Sequence, residues 1–201
     1  MDESHAAGVK RRAEHTSASA NCPVGPYAPC SGMRLLIIRH GIAEDKEVWA
    51  KAGHSDEERP LTDEGRRKMA LNAKGLRRAT DAIDLLATSP LVRARQTAQI
   101  VADAFKVTRI ETTKALVPDA SMREFVEWLG RHADMDVIAA VGHEPHLGVL
   151  ATWLMTDIED SRVDLKKGAA CMLEFDGKPE SGAGRLCWSI APAQLRKLGG
   201  E

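Results

Sequence analysis

Aromatic residues make up only 4% of the 201-residue chain, too few for a base-stacking platform. An excess of one charge is missing as well. Lys and Arg total 28 against 29 Asp and Glu, a net charge of −1, where a nucleic-acid-coating domain would be clearly basic. No apolar run approaches the roughly 18 residues that span a bilayer, so no membrane partner is expected. The four cysteines, Cys22, Cys30, Cys171 and Cys187, form no CxxC pair, so neither a zinc ribbon nor a thioredoxin-like site is expected. Cys171 and Cys187 lie among apolar residues and read as buried thiols. Cys22 and Cys30 lie in a Pro/Gly stretch and would pair only in an oxidising setting. The basic triplet Lys10-Arg11-Arg12 is not followed by an apolar segment, so no secretory signal is evident and the cytoplasm is the default location. There is no internal repeat.

What is present divides at Met33. Residues 1–32 are rich in Ala, Ser, Pro, Gly and His with almost no bulky apolar residue. Such a composition cannot offset the entropy of ordering, so a disordered or loosely attached tail is expected there. Residues 33–201 are expected to form one folded domain, large enough to bury roughly 70% of its unfolded surface without a disulfide or metal staple.

Within that domain, the run Leu35-Leu36-Ile37-Ile38, ending in Arg39-His40-Gly41, reads as a strand buried on both faces. A polar stretch follows at 44–60. Thr62 is an expected N-cap, with Asp63 and Glu64 in the first turn of a helix running to about Arg78. Further strands are expected at Ile83–Thr88, 109–112 and Val137–Val141. Ser89-Pro90 reads as a cap with proline in first position, opening a helix whose Leu91, Ala94, Ala98, Val101 and Phe105 form a buried stripe. Helices are also expected at 121–132 and Leu147–Leu154. Met172–Phe175 and Leu186–Ile190, flanking a loop with Gly182 and Gly184, read as a closing antiparallel pair. Strands alternating with helices imply an α/β fold, a sheet covered on both faces.

Ligands in such sheets bind beyond the carboxyl ends of the strands. Three segments put polar residues there: Arg39-His40-Gly41, the stretch from Thr88 to Arg93, and Gly142-His143. Arginine offers a permanent charge and a fork of donors matched to phosphate oxygens, so Arg39 and Arg93 are candidates to clamp a phosphoryl group. Arg93 also falls in the first turn of a helix, whose free N–H groups favour anions. His40 is the candidate nucleophile toward phosphorus, with Gly41 permitting close approach. His143 is placed to hydrogen-bond the phosphoryl oxygens. Phosphoryl transfer needs mainly positioning and charge compensation, so no metal or other cofactor is expected. A rival metal site of His143, Glu144 and His146 lacks the HExxH spacing. His146 is better read as a wall residue. His54 reads as solvated or bordering the pocket, and His5, His15 and His132 as tail or surface. Ser89 lacks a GxSxG surrounding and is not expected to be a nucleophile. Arg95 reads as a solvated helix arginine.

These motifs together resemble the histidine phosphatase superfamily, which includes the phosphoglycerate mutases and many phosphatases. RHG at 39–41 is its signature. RPLTDEG at 59–65, TSPLVRARQTA at 88–98, VGHEPHL at 141–147 and WSIAPAQLRKL at 188–198 resemble the short phosphohistidine phosphatases of the SixA type, in order, across residues 33–198. The resemblance implies a three-layer α/β/α sandwich, phosphoglycerate-mutase-like, with a mostly parallel sheet and an antiparallel edge. It implies that His40 takes the phosphoryl group covalently and that Arg39, Arg93 and His143 complete the pocket. Arg59 matches a further arginine of the short members, which would reach the phosphate or the substrate.

One departure is informative. Larger members carry a glutamate after the third strand that protonates an alcohol leaving group. The corresponding stretch here, Lys114-Ala115-Leu116-Val117-Pro118-Asp119, has none. An alkoxide needs general acid help, whereas imidazole departs readily from a P–N bond. The substrate implied is therefore phosphohistidine in a protein, admitted by an open site without large insertions. The alternatives are small phosphate esters or nucleotides, with Asp119 or Glu144 as candidate acid, and a non-catalytic module that binds phospho-ligands. A mutase would need a more enclosed site. The oligomeric state is not legible in the sequence.

Overall fold

The structure, a computed structural model, describes residues 32–201. The expected tail, the Cys22–Cys30 question and the roles of His5 and His15 lie outside the described residues.

Six strands form one sheet: β1 (Arg34–Arg39), β2 (Leu85–Thr88), β3 (Ile110–Thr112), β4 (Val137–Gly142), β5 (Ala170–Glu174) and β6 (Arg185–Ile190). Their spatial order is β3-β2-β4-β1-β5-β6. β1, β4, β2 and β3 run parallel, with Leu36 opposite Ala139 and Ala139 opposite Leu86. β5 and β6 add antiparallel to the far side of β1, so the expected antiparallel edge is there. The loop joining them carries Gly182 at φ +72°, a left-handed position that favours glycine.

The continuous apolar runs of β1 and β4 exist because alternate side chains enter two different cores. Leu35, Ile37, Ile138 and Ala140 face α4 (Met122–Gly130) and α5 (His146–Thr156), where Phe125, Leu129, Leu150 and Leu154 are fully buried. Leu36, Ile38, Ala139 and Val141 face α2 (Asp63–Ala79), α3 (Val92–Phe105) and α6 (Pro192–Gly199). This is the expected three-layer α/β/α arrangement. On α2, Met69, Ala73 and Leu76 repeat at helical spacing and bury one stripe against the sheet. Thr62 caps that helix as expected, its hydroxyl accepting from the Gly65 N–H at 2.9 Å. Gly75 lets α6 lie directly against α2, since a Cβ there would sit 2.0 Å from the Leu195 carbonyl oxygen.

Several local expectations need correction. The polar stretch 44–60 is not simply loop. It holds α1 (Lys46–Lys51), capped by Asp45, and a short 3-10 turn at Asp56–Glu58. α3 begins at Val92 with Leu91 as N-cap, so Ser89 does not cap it and Pro90 does not open it. The Ser89 hydroxyl is engaged elsewhere. Cys187 is half-buried where a buried thiol was expected, because β6 is the outer strand; Cys171, on β5, is fully buried. His132 is half-buried against Trp128 and not a free surface residue.

Candidate active site

Beyond the carboxyl ends of three adjacent strands, β2, β4 and β1, the chain gathers its polar residues. His40 directly follows β1, His143 follows β4, and Ser89 follows β2. The backbone ladder continues one step past the strands: the His40 N–H donates to the Gly142 carbonyl and the Ser89 N–H to the Val141 carbonyl, at 3.1 and 3.0 Å. The turn before β5 pins the end of β1 from the other side. Gly168, at φ +79°, donates its N–H to the carbonyls of Arg39 and His40, both at 3.1 Å. Its own carbonyl accepts from Asn72 on α2.

The resulting cavity of about 390 Å³ is lined by Arg39, His40, Arg59, Arg93, His143 and Glu144, together with Asp56, Lys46 and Lys167. His40, Arg93 and His143 are nearly inaccessible, at 5%, 3% and 2% exposure. Arg59 arrives from the segment before α2 and donates from its Nη1 to the Glu44 carbonyl at 2.8 Å. Arg39 donates from its Nη1 to the Leu165 carbonyl at 2.7 Å.

The hydrogen bonds fix the state of His40. Its Nδ1 lies 2.7 Å from the Gly41 carbonyl oxygen, an atom that only accepts. Nδ1 therefore carries the proton, and Nε2 holds a lone pair. Burial pushes the imidazole pKa down to about 3, against the pull of the Gly41 carbonyl and with help from the charges of Arg93, Arg39 and Arg59. His143 packs against it with ring centroids 5.0 Å apart. Its Nε2 lies 2.9 Å from the Ser89 hydroxyl, which also accepts from the Leu91 N–H. When the hydroxyl gives its hydrogen to His143 Nε2, the ring proton sits on Nδ1. Burial, then the charges of His40 and Arg93, hold His143 far below the usual histidine range.

Three buried nitrogens at this site have no partner among the described residues: Arg39 Nε, Arg93 Nε and His143 Nδ1, the last a donor in the tautomer just described. Buried polar atoms are almost always satisfied, and each orphan costs on the order of 1–3 kcal/mol. Three donors left open beside one cavity describe a place for an acceptor-rich anion.

The residue that the sequence reading missed is Asp56. One of its carboxylate oxygens accepts from Arg59 Nε at 2.8 Å, the other from Arg93 Nη2 at 3.0 Å, and its carbonyl accepts from Arg93 Nη1 at 2.7 Å. Partial burial opposes its charge, but the hydrogen bond from Arg59 and the charges of both arginines outweigh that and hold its carboxyl below the usual range. The only signal was its i, i+3 spacing to Arg59 in an otherwise featureless polar stretch. Thr97 was read only as part of a motif, yet it takes the Gly41 N–H at 3.0 Å and returns its own hydrogen to the Arg93 carbonyl at 2.7 Å.

Other expectations sort as follows. A Cβ at position 41 would be in ordinary contact with Leu61 at 3.4 Å, so Gly41 serves through its backbone and not through missing bulk. Of the two candidate acids, Glu144 lines the cavity, and Asp119 is exposed and does not. Burial raises the Glu144 pKa, against the N–H groups of Leu165 and Gly148 that its two oxygens accept. His54 stacks on Trp49, outside the cavity lining. Arg95 is exposed. No helix among the described residues is long and apolar enough to cross a membrane.

Comparison with known proteins matches this geometry to a family. The sequence profile of the histidine phosphatase superfamily (branch 1) fits residues 35–118. An uncharacterised protein of Picosynechococcus sp. is 35% identical over 156 residues, covering 77% of this chain and 88% of that protein. The chain belongs to the histidine phosphatase superfamily. Within that superfamily it is similar to the phosphohistidine phosphatase SixA of Escherichia coli, 27% identical over 82% of this chain and 97% of SixA. A solved structure of the protein histidine phosphatase SixA complexed with tungstate superposes with a TM-score of 0.70 at 26% identity, over 81% of this chain and 99% of that one. An α-ribazole-5′-P phosphatase of Escherichia coli shares the fold, with a TM-score of 0.62 at 18% identity, over 80% of this chain and 97% of the other.

Proposed function

We propose that this chain is a phosphatase that takes the phosphoryl group onto His40 Nε2, and that its substrate is phosphohistidine in a protein. The observation that carries the reading is the ring of unpartnered buried donors around a histidine whose Nε2 is unprotonated. Attack by that lone pair forms the P–Nε2 bond as the bond to the leaving group breaks. Charge on the phosphoryl oxygens is met by Arg39, Arg59, Arg93 and the Nδ1–H of His143, all fixed before the reaction begins. Water then attacks phosphorus, Nε2 recovers its lone pair, and phosphate leaves. SixA solved with tungstate, itself a tetrahedral oxyanion, is consistent with a pocket of this kind.

The case for phosphohistidine rests on the leaving group. Imidazole protonated at its far nitrogen departs neutral and asks for no acid at the leaving atom. Here the only carboxyl with a raised pKa in the cavity, Glu144, spends both oxygens on backbone N–H groups. A second reading keeps small phosphate esters as substrates with Glu144 as the acid, favoured by that same raised pKa. The non-catalytic alternative requires tight phosphate binding without turnover. A phosphatase domain over 33–201 belongs with this proposal.

The test is phosphate release from a phosphohistidine protein and, separately, from sugar and nucleotide phosphates, without added metal. Faster release from phosphohistidine, lost in His40→Ala, is the expected outcome. Faster release from one ester, lost in Glu144→Gln, moves the assignment to the second reading. A fully active His40→Ala refutes the mechanism in either case.

A further inference from the structure

A second cavity adjoins the phosphoryl pocket. It measures about 380 Å³ and shares Pro118 with the first. The first turns of two helices face it: Ser121 and Met122 at the start of α4, and His146 and Val149 at the start of α5. His146 is the unusual member. It is 5% exposed, yet among the described residues neither ring nitrogen has a partner at good hydrogen-bond geometry. The Ala120 carbonyl and the Asp119 carboxylate lie on its side and favour its protonated form, but burial prevails and keeps the ring neutral. A neutral imidazole carries one donor and one acceptor; with the donor turned to the Ala120 carbonyl, the other ring nitrogen is left as an acceptor for an entering group to satisfy. The sequence reading gave His146 a place in the wall, and nothing in the chemistry at His40 uses it.

We infer that this cavity is a substrate subsite that holds the polypeptide flanking the phosphorylated residue, with His146 hydrogen-bonding its backbone. The inference rests on the protein-phosphohistidine reading above. Three features favour a peptide. The subsite lies next to the phosphoryl pocket, the two sharing the Pro118 wall, which is where residues next to the modified one would run. Its walls mix apolar surface from Met122, Val149 and the prolines with the unpartnered acceptor nitrogen of His146, which suits a peptide's side chains and an amide N–H. Its charge is balanced, because Arg123 faces Glu159 at 4.0 Å, so no strongly charged group is called for.

The experiment compares two substrates with the same labile P–N bond: a phosphohistidine protein and phosphoramidate, which has no flanking chain. His146→Leu keeps the volume and removes both ring nitrogens. Val149→Trp fills the subsite and leaves His146 in place. In each variant kcat/KM for the protein substrate should fall about tenfold, the size of one or two lost hydrogen bonds, with KM carrying the change. Turnover of phosphoramidate should change less than twofold. Equal losses on both substrates would mean that His146 acts on the catalytic pocket itself, and no loss on either would mean that the subsite is unused. Both results overturn the inference. If the parent enzyme releases phosphate from neither substrate, the proposed function fails first and is distinguished by that result.

Discussion

The two pocket histidines should make the protein lose stability on mild acidification. His40 has its pKa lowered from an unfolded value near 6.5 to about 3, and His143 is lowered as well, both chiefly by burial. As pH falls below 6.5 the unfolded chain therefore takes up protons that the native state refuses. The stability is fully present above 6.5 and is lost as pH falls toward the folded values. For one such histidine the loss between pH 6.5 and pH 5 is about 1.6 kcal/mol, and for the pair about 3 kcal/mol. Glu144 works in the opposite sense, because its raised pKa lets the native state bind a proton before the unfolded chain does, which offsets part of the loss. Asp56, held low by its arginines, is ionised in both states until well below pH 5. Urea unfolding followed by circular dichroism at half-unit steps reads the slope directly. His40→Asn removes one of the two titrations and should leave roughly half of it. A stability that is flat from pH 6.5 to 5, or a slope that His40→Asn leaves untouched, would show that these rings are not held neutral by burial.

Further outcomes follow from single contacts. Asp56→Asn removes the carboxylate that bridges Arg59 and Arg93; kcat should fall about tenfold as the arginines lose their alignment, while inorganic phosphate inhibits more strongly because their charge is freed. Steady-state kinetics with phosphate as product inhibitor checks both, and an unchanged kcat would reduce Asp56 to a surface ion pair. Gly75→Ala improves helix propensity by about 1 kcal/mol but drives a Cβ against the Leu195 carbonyl; the clash should win, for a net loss of about 1–2 kcal/mol visible as a lowered urea midpoint. Activity measured with excess chelator should equal activity without it, since the guanidinium groups already supply the compensating charge; a loss restored by a divalent cation would refute that part of the mechanism.

The fold was legible because the strands β1 and β4 are buried on both faces and so carry unbroken apolar runs, and because the stripes of α2 and α3 repeat cleanly. Boundaries were less legible. Ser89-Pro90 has the composition of a helix start, but the Ser89 hydroxyl is drawn to His143 Nε2 and the helix begins three residues later. Propensity reads only local neighbours, and this partner is 54 residues away in sequence. The α1 helix and the 3-10 turn escaped for a related reason: neither buries a residue, so no periodic stripe marks them.

The same distinction explains which parts of the site were visible. His40, Arg39, Arg93 and His143 stand at strand ends or at the start of a helix, where a polar residue interrupts an apolar pattern. Asp56 sits among other charged residues and interrupts nothing. Its importance lies in what it touches, two arginines 3 and 37 residues further along the chain. An anion site built from three arginines needs something to hold them apart from solvent and from one another before substrate arrives. A half-exposed carboxylate does this at little desolvation cost and leaves the Nε of Arg93 unspent. The pocket is thus partly neutralised at its rim by Asp56 and left electropositive at its floor, beside the lone pair of His40. On the proposed mechanism, an incoming phosphoryl group would meet these buried nitrogens only at the depth where Nε2 can reach phosphorus.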